Sequence, residues 1–220
     1  MSKSILCYGD SNTWGYIAGS FSPQYMLAKR YDYHLRWTGI LQERLSHEYQ
    51  IIESGLNGRN TSFDEQHVIR PSRNGLAALP LILEMHYPLD WVIFMLGTND
   101  LRTEFNASCE RITQGMQQLI HTVKSCRLGP NFTSPRIMLI APAQIYPVDT
   151  ATFNNYFSES SCQKSAQLAS RYAALAQEEG CAFVDASLLK VSMVDGVHLE
   201  QASHNTLANM LFNKLTELKL

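Results

Sequence analysis

The apolar patterning predicts an α/β fold: a three-layer α/β/α sandwich around a five-stranded parallel sheet, with residues 1–220 forming one domain. Three observations carry this. Five short apolar runs recur, at 4–8, 49–53, 91–96, 136–141 and 182–185. Each is separated from the next by a segment of helical periodicity, and that alternation belongs to parallel strands covered by helices on both faces. Several of the runs also stop abruptly at glycine, as in Tyr8-Gly9-Asp10-Ser11 and Leu96-Gly97-Thr98-Asn99.

Taken in order, the first strand ends at Gly9 and presents Ser11 at its C-terminal end, where open α/β sheets place their chemistry. The stretch 16–35 that follows is longer than a connection requires, and Tyr25, Tyr31 and Tyr33 suit it to wall a cleft or bury a subunit contact. Helical periodicity covers 36–47, and strand 49–53 leads into Gly55-Leu56-Asn57-Gly58-Arg59-Asn60-Thr61. A second helix spans 77–86, with its regular part expected to begin near Pro80, since proline is accommodated in a first turn. Strand 91–96 runs into Gly97-Thr98-Asn99-Asp100, and helix 108–125 precedes strand 136–141. The stretch 142–157, with two prolines and with Tyr146, Phe153, Tyr156 and Phe157, is a second long irregular connection on the same rim. Helix 158–179 opens with Ser158 and Ser161 and stops at Gly180. Strand 182–185, the turn Asp195-Gly196-Val197-His198 and a last helix over 201–218 complete the chain.

In the flavodoxin-like order strand one lies beside strand three, and the crevice at their C-terminal ends is the topological switch point. Ser11 stands on one side of it and Asn99 on the other. A serine hydroxyl attacks a carbonyl only when a base takes its proton and donors hold the resulting oxyanion. The Asp195-to-His198 spacing lets a carboxylate accept the imidazole Nδ1 proton, leaving Nε2 for Ser11. The expected catalytic set is therefore Ser11, His198 and Asp195. The Ser11 amide, the Gly58 amide and the Asn99 side chain form the expected oxyanion hole. Asn12, Trp14, Tyr16, Asn57, Ile145 and Val197 are the expected substrate contacts, Trp14 and Tyr16 competing with an ordinary core reading and Met95 favouring the core. Asp10 and Asp100 read as scaffolding at turns. Arg59 and Arg102 read as solvated or as contacts to an anionic substrate.

These motifs resemble the SGNH or GDSL hydrolases. Gly9-Asp10-Ser11, Gly55-Leu56-Asn57-Gly58, Gly97-Thr98-Asn99-Asp100 and Asp195-Gly196-Val197-His198 match the family's four blocks in family order. Trp14-Gly15, Arg36-Trp37-Thr38-Gly39 and Met95-Leu96-Gly97-Thr98-Asn99-Asp100 are most similar to the bacterial arylesterase and acyltransferase branch. The resemblance implies hydrolysis of small acyl esters, with acyl transfer to alcohols as a variant, and no metal or organic cofactor. That branch includes oligomers, so a homo-oligomer is an open expectation. Asn12 departs from the leucine of the family name, which bears on local packing or substrate shape rather than on the mechanism. A carbohydrate deacetylase on the same triad and a catalytically silent binding module are the competing readings.

Composition limits the partners. A net charge of -2 gives no long-range field for nucleic acid or anionic membranes, which would require a basic patch or stripe. The N-terminus has no signal-type apolar segment, and no apolar run approaches the ~20 residues that span a bilayer, so a cytoplasmic protein is expected. The five cysteines, Cys7, Cys109, Cys126, Cys162 and Cys181, are scattered without a C-x-x-C pair and read as free, mostly buried thiols. No metal site is expected: His34, His47, His67, His86, His121 and His204 lack ligand spacing. Of these, His204 is the nearby rival to His198, but it has no aspartate three residues ahead. Gly-x-Gly-x-x-Gly and the P-loop lysine are absent, which argues against a dinucleotide or phosphate loop.

Overall fold

Alternation of side chains about β1 (Lys3–Gly9) divides the interior in two. Leu6 and Tyr8 enter one apolar cluster, and Ile5 and Cys7 enter another, because successive residues of a strand point to opposite faces. The computed structural model describes residues 3–45, 47–65 and 70–219. Its sheet contains β1, β2 (Tyr49–Gly55), β3 (Trp91–Met95), β4 (Arg136–Ala141) and β5 (Ala182–Asp185). They lie in the order 2-1-3-4-5, every pair parallel. The register sets Gly9 opposite Gly55 on one side and Met95 on the other, so the first three strands end together at one rim.

The helices are α1 (Ser11–Trp14), α2 (Trp37–Arg44), α3 (Gly75–His86), α4 (Cys109–Ser125), α5 (Ala151–Tyr156), α6 (Glu159–Glu178) and α7 (Gln201–Glu217). Leu79 and Leu83 of α3, Met116 and Leu119 of α4, and Leu168 and Tyr172 of α6 pack on the face carrying Leu6, Tyr8 and Phe94. Trp37 and Leu41 of α2, with Leu207 and Leu211 of α7, cover the face carrying Ile5, Ile93 and Ile140. This is the expected sandwich in the expected flavodoxin-like order.

Helix starts and loop content differ from expectation where tertiary contacts outweigh local signals. Helix α3 begins five residues before Pro80, so the proline sits inside it. Asn74 caps the true start by accepting the Ala77 N–H at 3.1 Å, and the Tyr8 hydroxyl donates to the Gly75 carbonyl at 2.7 Å. Burial of Leu79 and Leu83 on both sides of the proline compensates for the backbone bond it cannot make. The stretch 142–157 contains α5, capped by Thr150 and anchored by buried Phe153 and Phe157. The stretch 16–35 folds back on itself through antiparallel bridges Tyr16–Arg30 and Ser22–Leu27. Among the cysteines Cys7 and Cys109 are buried and the other three half-buried, all with free thiols. No helix among the described residues is long and apolar enough to cross a membrane.

Candidate active site

Where β1 runs out, Asp10 caps α1 by accepting the Asn12 N–H at 2.8 Å. Ser11 is thus the first helical residue, and its N–H has no acceptor within the helix. The Asp10 carboxyl is fully buried and its second oxygen has no partner, and burial raises its pKa to about 6 against the weaker pull of the Asn12 N–H. Asp100 is likewise pushed to about 6 by burial, opposed by hydrogen bonds from Thr61, whose N–H and hydroxyl approach it at 3.0 and 2.5 Å. Both carboxylates therefore brace turns, as expected from the sequence.

Between β5 and α7 the chain forms a loop closed by the Val191–Leu199 bridge. Gly196 sits in it at φ +69°, and a Cβ there would lie 2.1 Å from the Tyr146 carbonyl oxygen, so only glycine fits. The tight turn points Asp195 back at its own end. Its Oδ1 accepts the N–H groups of Val197 and His198 at 3.1 and 3.0 Å, and its Oδ2 lies 2.7 Å from His198 Nδ1. Burial pushes the Asp195 carboxyl up, but the His198 hydrogen bond and charge, with the two backbone N–H groups, hold it below the usual range. Nε2 of His198 lies 3.0 Å from Ser11 Oγ. The Tyr16 ring stacks on the imidazole, with centroids 3.9 Å apart and planes inclined by 16°.

Asn12 does not contact the cleft, contrary to expectation. Its Oδ1 accepts the Leu199 N–H at 2.9 Å and its Nδ2 donates to the Val197 carbonyl at 3.4 Å. The departure from leucine thus places a polar clasp between α1 and the loop that carries His198. Ile145 is the second correction: it is buried in the apolar cluster beneath α6, its N–H donating to Ser165 Oγ at 3.2 Å. Its apolar side chain serves as core rather than as a substrate contact.

The two other expected donors flank Ser11. Gly58 adopts φ +84°, a left-handed conformation that favours glycine, and lines the same cleft as Ser11 and Asn99. Among the described residues neither this N–H nor that of Ser11 has a protein acceptor. Asn99 begins a single 3-10 turn after β3, and its Nδ2 donates one hydrogen to the Arg59 carbonyl at 3.1 Å. The second hydrogen of that amide stays available. Arg59 is neither solvated nor substrate-facing: it lies buried over the Tyr8 ring at 4.0 Å and donates to the Gly9 carbonyl at 3.0 Å and to the Ser54 carbonyl. It ties the ends of β1 and β2 together beneath the glycine loop.

A cleft of about 390 Å³ opens over Ser11 and His198. Trp14, Tyr16, Asn57 and Val197 line it, and Tyr156 and Phe157 from the second long loop join them. Phe21, Met26 and Leu27 contribute an apolar wall from the first long loop, whereas Arg70, Arg102 and Asn155 make a polar one. No sequence signal singled out Arg70 or Asn155. His204 is no rival to His198: it is buried in α7, where its Nδ1 accepts the Trp37 N–H at 3.4 Å. Burial, then the charges of Arg36 and His198, lower its pKa to about 4. His67 lies outside the described residues. Among those described, no cluster of three or more His, Cys, Asp or Glu could hold a metal.

Comparison with known proteins places this arrangement in context. Residues 7–206 match the GDSL-like lipase/acylhydrolase family. No curated protein matches the chain. Among solved structures, a carbohydrate acetylesterase from Sinorhizobium meliloti is 35% identical, with a TM-score of 0.88 over 99% of this chain and 100% of that one. The M. smegmatis aryl esterase, bound to an inhibitor, is 33% identical, with a TM-score of 0.89 and the same coverage. A carbohydrate acetylesterase family member from S. meliloti is 32% identical, with a TM-score of 0.89 over 98% of both chains.

Proposed function

Since this chain belongs to the GDSL-like lipase/acylhydrolase family and is a serine ester hydrolase, we propose that it cleaves small acyl esters with Ser11 as nucleophile, His198 as base and Asp195 as orienter. The observation that carries this reading is the continuous path from Asp195 Oδ2 through His198 to Ser11 Oγ, with links of 2.7 and 3.0 Å. His198 Nε2 takes the hydroxyl proton as Oγ bonds to the ester carbonyl carbon. Asp195 keeps the other imidazole proton on Nδ1 and stabilises the imidazolium that forms.

The carbonyl oxygen, now negative, is held by the N–H groups of Ser11 and Gly58 and the free amide hydrogen of Asn99. Such donors act mainly on the transition state, where the charge develops. Collapse of the tetrahedral intermediate breaks the bond to the leaving oxygen, which receives the proton from His198. Water then attacks the acyl-Ser11 ester, with His198 again as base. An alcohol bound in place of water gives transfer instead of hydrolysis. Every proton in the sequence moves through a side chain of this chain or through water.

The neighbour named as a carbohydrate acetylesterase supports an acetyl-type acyl group, and its difference from the neighbour named as an aryl esterase leaves the alcohol side open. Turnover of an aryl acetate and of an acetylated sugar, measured side by side, ranks the alcohol halves. Added alcohol in water reveals transfer as a new ester product. Ser11→Ala is expected to lower turnover of the better substrate by roughly 10⁴-fold or more. Undiminished turnover in that variant rejects the assignment.

A further inference from the structure

The polar wall of the cleft is built around one buried carboxylate, and the chemistry outlined above does not use it. Glu65, with a side chain only 3% exposed, has its Oε1 at 2.5 Å from Arg70 Nη2 and 2.9 Å from Arg102 Nη1. Its Oε2 accepts Arg70 Nε at 3.1 Å. Two guanidinium groups thus share one buried acid. Glu104, with a side chain 35% exposed, also meets Arg102 Nη1 at 3.2 Å, and the Arg70 side chain is itself 34% exposed. Asp195, the other acid bordering the cleft, is engaged by His198 and two backbone N–H groups. The two guanidiniums are thus matched by two carboxylates, and what the wall offers an anion is the N–H groups those carboxylates leave unengaged.

Arg70 and Arg102 both line the cleft. Among the described residues Arg70 Nη1 and Arg102 Nη2 have no protein acceptor. Arg70 Nη1 packs so closely on Gly58 that a Cβ there would lie 3.3 Å from it. Arg102 lies over the Tyr156 ring at 4.5 Å. Guanidiniums pinned by a buried acid and an aromatic face lose little freedom when they bind an anion, and planar N–H edges match a carboxylate.

We propose that Arg70 and Arg102 form a carboxylate subsite for the acyl half of the ester, so that the enzyme favours half-esters of dicarboxylic acids. The leaving oxygen must face His198 Nε2 to receive its proton and the carbonyl oxygen faces Ser11, Gly58 and Asn99, so the acyl chain takes the remaining direction, along the cleft that Arg70 and Arg102 line. An acetyl group leaves most of a 390 Å³ cleft unfilled, and a chain ending in a carboxylate reaches the wall. This inference rests on the Ser11 reading.

The test compares kcat/KM for mono-4-nitrophenyl adipate with that for its methyl ester, which differs by one charge. The half-ester is expected to be favoured by about 10-fold or more at low salt. Arg70→Gln and Arg102→Gln should each cut that preference about 10-fold, and added salt should erode it in the parent protein. Equal rates for the two esters, a preference for the methyl ester, or a preference that survives both variants overturns the subsite. If circular dichroism shows that the variants do not fold, the salt series on the parent decides, and a salt-independent ratio overturns it. Turnover of both esters persisting in Ser11→Ala would instead strike the nucleophile assignment, which keeps the two failures apart.

Discussion

Asp195→Asn isolates the role of one oxygen atom. Oδ1 of Asp195 accepts two backbone N–H groups, from Val197 and His198, at 3.1 and 3.0 Å. An asparagine must keep its single carbonyl oxygen there, because an NH₂ group would face two donors. The NH₂ group then falls where Oδ2 was, 2.7 Å from His198 Nδ1. A donor at that distance demands a lone pair on Nδ1, so the imidazole proton moves to Nε2. Nε2 can then no longer accept the Ser11 proton across the 3.0 Å contact. The backbone bonds of the turn survive, so the fold persists while the tautomer is wrong. The expected loss is about 10⁴-fold in kcat, equivalent to about 5 kcal/mol of transition-state stabilisation. Initial rates with an aryl acetate at neutral pH, beside a near-UV circular dichroism spectrum, measure it. A native-like spectrum with a loss below about 10-fold would refute the tautomer argument.

Asn99→Ala removes one oxyanion donor and should lower kcat by roughly 10²- to 10³-fold, with a smaller change in KM; a change confined to KM would contradict that role. The Tyr16 ring holds the His198 imidazole at 3.9 Å, and a stacked aromatic pair contributes about 0.5–1.5 kcal/mol. Tyr16→Phe should therefore keep kcat within about 3-fold, while Tyr16→Leu loses up to ~10-fold, and equal rates in the two variants would show that stacking does not position the base. His204 sets a pH dependence of stability. Its folded pKa of about 4 lies below the ordinary 6.5, so the unfolded chain takes up that proton first and stability falls as pH drops from 6.5 to 4, by about 3 kcal/mol. Asp10 and Asp100, raised to about 6, act in the opposite sense between about 4 and 6. The His204 contribution is therefore read as a difference: denaturant midpoints of His204→Gln should fall less than the parent's between pH 7 and 4.5, and parallel curves would refute it.

The sheet and the chemical motifs were legible because they are short and local. A buried parallel strand must be apolar throughout, and a strand-ending glycine followed by Ser11 or Asn99 marks the rim directly. The Asp195-to-His198 turn was equally plain, since a three-residue spacing leaves few geometries. Pro80 misled because a missing backbone bond is a local signal, whereas burial of Leu79 and Leu83 is decided by α4 and the sheet. Asn12 and Ile145 misled for a related reason: sequence proximity to the site does not show which way a side chain points. Arg70 and Arg102 lie 32 residues apart in the chain and meet only through Glu65. No periodicity or motif announces such a meeting.

Reaction with a fluorophosphonate, followed by peptide mass mapping, tests the account at its centre. A hydroxyl reacts with such a probe only where a base and oxyanion donors surround it. The probe's mass should appear once, on Ser11, and the signal should vanish in Ser11→Ala. An adduct on another residue, or a parent protein that stays unmodified while it turns over ester, would contradict the assignment of Ser11 as the nucleophile.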